Sequence, residues 1–188
     1  SLNIVADKTG MNNDAPALAA KMGLGWNLGN TLEATDGTTA GETTWGNPKA
    51  SKALIDGVKA AGFNTVRIPC AWNAYIEDQA TYKISDARLA RVKEVVDYCI
   101  DNNMYAIINI HWDGGWLEEN PTYDKQVEVN KKQKALWEQI AVYFRDYDEH
   151  LLFAGTNEVH ANYNTPSAEN IEVQQSYNQT FINAVRST

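Results

Sequence analysis

The chain has 188 residues, 44% of them hydrophobic and 21% charged, which is enough for one domain with a real core. Its 24 acidic residues against 16 basic ones give a net charge of -8, so nucleic acid and anionic membrane are poor partners and neutral substrates fit better. No apolar run approaches the ~20 residues that a membrane helix needs, whereas six Trp and nine Tyr offer flat faces of the kind that pack on the C–H faces of sugar rings.

Residues 1–20 read as a lead-in, polar and without periodicity as far as Asp14. After them one unit, strand then helix, repeats four times over residues 21–188. Residues 22–28 are a short apolar run of strand type. Residues 48–61 follow at helical spacing, with Pro48 suited to the first turn and Gly62 closing the helix. Residues 65–69 are the second strand. The helix over 86–102 takes Asp86 as its N-cap and puts Leu89, Val92, Val95, Val96 and Cys99 on one face. Residues 105–110 are nearly all apolar, as suits a strand buried on both sides. The third helix spans 130–144, with Ala135, Leu136, Ile140 and Phe144 inward and Lys131, Lys132 and Lys134 on a solvated face. Residues 151–155 form the fourth strand and 167–186 the last helix. Cys70 and Cys99 are isolated and read as buried free thiols.

This alternation argues for parallel βα units. It does not by itself separate a barrel from a doubly wound open sheet, although neither GxGxxG nor GxxxxGK[ST] occurs. The polar residues separate them. The strands run into Trp26-Asn27-Leu28-Gly29-Asn30, Ala71-Trp72-Asn73, His111-Trp112-Asp113-Gly114-Gly115-Trp116 and Thr156-Asn157-Glu158-Val159-His160. Polar and aromatic groups gathered at the carboxyl ends of strands are what the active face of a (β/α) barrel requires.

Arg67 lies inside an apolar strand and needs a partner there, because an unpaired buried guanidinium costs several kcal/mol. It is either one half of a structural ion pair or the fork that orients a catalytic carboxylate. Glu158, at a strand end, can protonate a glycosidic oxygen, and Asn157 beside it can bond a sugar hydroxyl, notably the 2-OH. His111 reads as a hydrogen-bonding group beside a sugar. With three His and no HExxH, a metal site is not expected. No GxSxG elbow is present.

The stretches Gly25-Trp26-Asn27-Leu28-Gly29-Asn30-Thr31-Leu32-Glu33-Ala34, Phe63-Asn64-Thr65-Val66-Arg67-Ile68-Pro69, Ile108-Asn109-Ile110-His111-Trp112-Asp113 and Leu151-Leu152-Phe153-Ala154-Gly155-Thr156-Asn157-Glu158 stand in one order along the chain. Together they resemble glycoside hydrolase family 5, most of all its bacterial and rumen-type endoglucanases. The resemblance implies a retaining (β/α)8 TIM barrel, residues 21–188 being the first four βα units, a half-barrel. It implies that Glu158 is the general acid/base, that Asn157 stands beside it, that Arg67 lies near the nucleophile and that His111 lines the site of the cleaved bond. Asn30, Trp45, Trp112 and His160 are the implied substrate-binding residues, with Trp112 standing where many relatives have a second His. No metal or organic cofactor is implied, and the enzyme is expected to be secreted or at the cell surface, any signal peptide lying outside Ser1 onward.

A retaining glycosidase needs two carboxylates about 5–5.5 Å apart. The nucleophilic Glu of the family follows strand seven, and Glu33, Glu42, Glu118 and Glu119 fall in loops that the family does not use for it. A half-barrel would also leave strand edges and its inner face uncovered. The expectation is therefore an endo-β-1,4-glucanase (cellulose, mixed-linkage β-glucan or xyloglucan backbone) completed by a second half-barrel polypeptide. The alternatives are a β-mannanase or xylanase on the same barrel, or an inactive glycan-binding half-barrel.

Overall fold

The computed structural model describes residues 2–188. In chain order the elements are α1 (Ala15–Met22), β1 (Gly25–Asn27), α2 (Lys52–Ala60), β2 (Thr65–Ile68), β3 (Ile76–Asp78), β4 (Lys83–Ile84), α3 (Asp86–Ile100), β5 (Tyr105–Asn109), α4 (Tyr123–Tyr143), β6 (Leu151–Ala154) and α5 (Ala168–Arg186). β3 and β4 form a small antiparallel pair of their own.

The other strands make one parallel sheet in the order β1-β2-β5-β6. Sheet neighbours are thus consecutive βα units, without the reversal of order that a doubly wound sheet has at its switch point. Register places Trp26, Val66, Ala106 and Leu151 in one row across the sheet and Asn27, Arg67, Ile107 and Leu152 in the next. Successive rows face opposite sides. The first row, with Ile68 and Ile108, packs under the helices against Ile55, Val58, Val92, Val96, Leu136, Trp137 and Ile140. Each such buried side chain contributes roughly 1.5–3 kcal/mol by leaving water. The second row is poorly covered, with Arg67, Ile107 and Leu152 half-buried and Asn27 exposed. Helices close one face of the sheet; the other is open and carries the arginine.

Several boundaries differ from the sequence reading. α1 is capped by Asp14, whose Oδ1 accepts the Ala17 N–H at 2.9 Å, but it has no buried residue and so no apolar stripe to reveal it. The first strand is only Gly25–Asn27. α2 starts after Ser51, whose Oγ accepts from Leu54 N at 3.2 Å, which leaves Pro48 in the preceding loop. Ser85, not Asp86, caps α3, its Oγ taking the Arg88 N–H at 3.1 Å. α4 begins at Tyr123, about two turns earlier than residue 130, because its opening turns are largely exposed and carry little apolar pattern. Gln133 and Trp137 are buried on its inner face, whereas Ala135 is only half-buried.

Lys132 also departs from the solvated face expected of it. It is half-buried, with Nζ 4.6 Å from the Trp116 ring centroid and bonded to Asn73 Oδ1, and burial lowers its pKa. Cys70 and Cys99 are free and buried as expected, and burial pushes both thiols up to about 12. Glu149, just before β6, holds the lead-in by accepting from Asn12 N at 2.8 Å and Asn13 N at 2.9 Å.

Candidate active site

The carboxyl end of β6 is set by a close approach. A β-carbon at Gly155 would fall 2.4 Å from Phe181, so glycine lets α5 close on the strand end. Beyond it come Asn157, half-buried, and Glu158, exposed. Arg67 reaches them from β2. Its Nη1 donates to Asn27 Oδ1 at 2.8 Å and its Nη2 to Asn157 Oδ1 at 2.9 Å. One planar fork therefore ties β1 to the segment after β6, reaching past β5. Among the described residues Arg67 forms no ion pair and bonds two amides. Gly29 keeps room for this arrangement, since a β-carbon there would lie 2.8 Å from Asn27 Nδ2.

His111 follows β5 and its state can be derived. The buried Asn109 side chain accepts the Cys70 N–H on Oδ1 at 3.0 Å, which fixes the amide so that its Nδ2 lies 3.2 Å from His111 Nδ1. An amide nitrogen can only donate, so Nδ1 accepts and the ring proton sits on Nε2. Burial, then the Arg67 charge, lowers the His111 pKa below its ordinary 6.5, against the opposing pull of Glu33 and Glu158. The site thus holds a neutral imidazole offering an Nε2–H. Long-range 1H–15N spectra are expected to show the Nε2–H tautomer, with titration below 6.5. An Asn109→Ala variant is expected to lose that tautomer preference. A protonated ring at neutral pH would contradict the assignment.

Asp113 braces the same strand end. It is 1% exposed and adopts φ +54°, a left-handed backbone that Asp tolerates better than most residues. Its Oδ1 accepts from Trp72 N at 2.8 Å and Asn73 N at 2.9 Å, and its Oδ2 from Trp116 Nε1 at 2.8 Å. Burial pushes its pKa up to about 6, against these donors and the Lys132 charge.

The remaining residues singled out from the sequence are spread along the loops. Asn30 adopts φ +61° and gives its N–H to Glu33 Oε1 at 2.5 Å. Trp45 is 41% exposed in the β1–α2 loop. Trp112 is half-buried and donates through Nε1 to Glu119 Oε1 at 2.7 Å. The His160 ring stacks on Tyr163 with centroids 3.7 Å apart, and its main-chain N–H meets Glu118 O at 2.6 Å. Direct bonding joins Arg67 to Asn157, and His111 senses the charges of Arg67 and Glu158; Asn30 and Trp45 are not bonded to that group. Sequence reasoning gave no role to Asn27, Asn109, Asp113 or Glu118. For Asn27 the signal existed: as a polar residue one strand over from Arg67, it falls in the same row once β1 and β2 are paired in register.

The family model Cellulase (glycosyl hydrolase family 5) matches residues 29–188. The chain belongs to glycoside hydrolase family 5. A xyloglucan-specific endo-β-1,4-glucanase of Bacteroides ovatus in this family is 48% identical over 98% of this chain and 38% of that protein. Endoglucanase B of Clostridium cellulovorans is 41% identical over 100% of this chain and 43% of its own length. Among solved structures, the Bacteroides ovatus GH5 xyloglucanase in complex with a XXXG heptasaccharide superposes with a TM-score of 0.92 at 47% identity, covering 98% of this chain and 42% of that one. A GH5-4 broad specificity endoglucanase from Ruminococcus champanellensis with bound cellotriose gives 0.86 at 42% identity, covering 93% and 53%. The chain therefore spans about two-fifths of the length of the curated relatives it matches. Its fold is the family-5 (β/α)8 barrel, represented by four βα units.

Proposed function

We propose that residues 21–188, led in by residues 1–20, form the acid/base half of a retaining endo-β-1,4-glucanase barrel. Glu158 is its general acid/base. The observation that carries this reading is an exposed carboxylate at the carboxyl edge of the sheet, next to an amide that Arg67 holds in place. In the first step Glu158 gives its proton to the glycosidic oxygen as the nucleophile attacks the anomeric carbon and the leaving chain departs. In the second it takes a proton from the water that releases the sugar. Asn157 meets the 2-hydroxyl of the sugar at the cleaved bond, Arg67 holds Asn157, and His111 faces the same sugar through Nε2–H. Asn30, Trp45, Trp112 and His160 contact neighbouring sugars.

The nucleophilic Glu comes from a second half-barrel carrying strands five to eight. That half also covers the open face of the sheet and its two edge strands, β1 and β6. The substrate is a β-1,4-glucan backbone, xyloglucan included, as the names of the relatives support. Such a polymer cannot enter a cell, which supports action outside it, by a secreted or surface-held enzyme. No helix among the described residues is long and apolar enough to cross a membrane.

Hydrolysis of xyloglucan, carboxymethylcellulose, mannan and xylan by this chain with and without a family-5 second half tests the reading. Expected are new reducing ends from the two glucans only when both halves are present. Equal hydrolysis by this chain alone, or cleavage of mannan or xylan in preference to both glucans, would contradict it.

A further inference from the structure

Glu118 is a buried carboxylate that the mechanism above does not use. It lies between β5 and α4 and is 3% exposed. Its Oε2 accepts from Asn157 Nδ2 at 3.2 Å, and its main-chain oxygen accepts the His160 N–H at 2.6 Å. One residue is thereby bonded to the chain on both sides of Glu158. The other end of the Asn157 amide is held by Arg67. With a guanidinium on its oxygen and a carboxylate on its nitrogen, the amide cannot turn over. The flipped form would set NH2 against the guanidinium and C=O against the carboxylate. Nδ2 carries a second N–H, which no bond among the described residues uses.

The position is costly for Glu118 itself. Burial raises its pKa, the Asn157 bond lowers it, and the Glu158 charge raises it further. His160 opposes that charge, but no Lys or Arg among the described residues pairs with Glu118, and a buried carboxylate without such a pair is a poor choice for stability alone. We infer that Glu118 is a positioning residue for the proposed reaction: its carboxylate locks the Asn157 amide so that the free N–H meets the substrate hydroxyl, while its main-chain oxygen, which any residue would supply, holds the loop that bears Glu158. The inference rests on the assignment of Glu158 and Asn157 made above.

The test uses the completed two-half enzyme. Glu118→Met keeps the volume but removes both the acceptor and the buried charge. It is expected to melt no lower than the parent and yet to lose kcat by about 10–100-fold with KM little changed, as a mispositioned group does. Glu118→Gln, which keeps an acceptor for Nδ2, is expected to recover most of that loss. In an Asn157→Ala background, Glu118→Met is expected to cost nothing more. Three results would overturn the inference: unchanged kcat in Glu118→Met, a loss that follows a lowered melting temperature and is not recovered by Gln, or full additivity with Asn157→Ala. Glu158→Gln run in parallel separates the two levels. Normal turnover there removes the acid/base assignment and this inference with it, whereas an inactive Glu158→Gln with an additive cycle removes the role of Glu118 alone.

Discussion

Glu158→Gln in the completed barrel is expected to lower kcat on β-1,4-glucan by about 10²–10⁴-fold, the usual worth of a positioned acid/base. Gln has nearly the volume of Glu but no proton to give, so the leaving chain must depart as an unprotonated alkoxide. Glu158 is exposed and its carboxylate accepts from no other group among the described residues, so the substitution removes chemistry and leaves the folded framework unchanged. Substrate binding is therefore retained. With an activated aryl glycoside the leaving group needs no proton, and the first step survives. The second step still lacks its base, so the glycosyl-enzyme accumulates and kcat and KM fall together. Stopped-flow release of the aryl group would show a burst followed by slow turnover. Equal losses on the polymer and the aryl glycoside, without a burst, would mean that Glu158 serves binding instead.

Asp113→Ala is expected to destabilise the complete protein by roughly 3–5 kcal/mol at pH 8, measured as a lowered midpoint of urea unfolding at constant slope. Its carboxylate satisfies the Trp72 and Asn73 main-chain N–H groups and the Trp116 indole. Alanine leaves these donors with no partner in a region where the carboxylate itself is 1% exposed. It also loses the side-chain bonding that makes φ +54° tolerable for Asp, a further cost of about 1–2 kcal/mol for an ordinary L-residue. Asp113→Asn keeps one oxygen and the tolerance of a left-handed backbone, so it is expected to cost clearly less. Because folding raises this pKa from 3.8 to about 6, the folded protein holds the proton where the unfolded chain has released it. The contribution of Asp113 is thus fullest below 3.8 and declines as pH rises through about 6, so the gap between parent and Ala variant narrows across that window. A gap that widens instead would contradict the raised pKa.

How far the sequence could be read depended on the distance over which each interaction acts. Strand–helix alternation and the apolar stripe of α3 are local patterns, and they located the four βα units. Arg67 and Glu158 stood out because a charge in an apolar strand and a carboxylate at a strand end are visible without any partner. Their connections were not visible. The Arg67–Asn157 bond spans 90 residues and the Asn157–Glu118 bond 39, and neither follows from composition or periodicity. α1 and the first turns of α4 leave no apolar stripe in the sequence because they bury almost nothing, and the strands of the β3–β4 pair are too short to alternate. Lys132 departs for the opposite reason: Lys131 and Lys134 are solvated, but Trp116, from a different segment, covers it.

The most direct test of the account is chemical rescue of Glu158→Ala in the completed barrel, with azide present and the glycosyl azide product identified by NMR. The small anion fills the space of the missing side chain and attacks the glycosyl-enzyme without needing a base. Azide is expected to restore turnover of an aryl β-glycoside, and the product is expected to be the β-glycosyl azide, with configuration retained. An α-glycosyl azide, or no rescue with azide at saturating concentration, would contradict the assignment of Glu158 as the acid/base of a retaining enzyme.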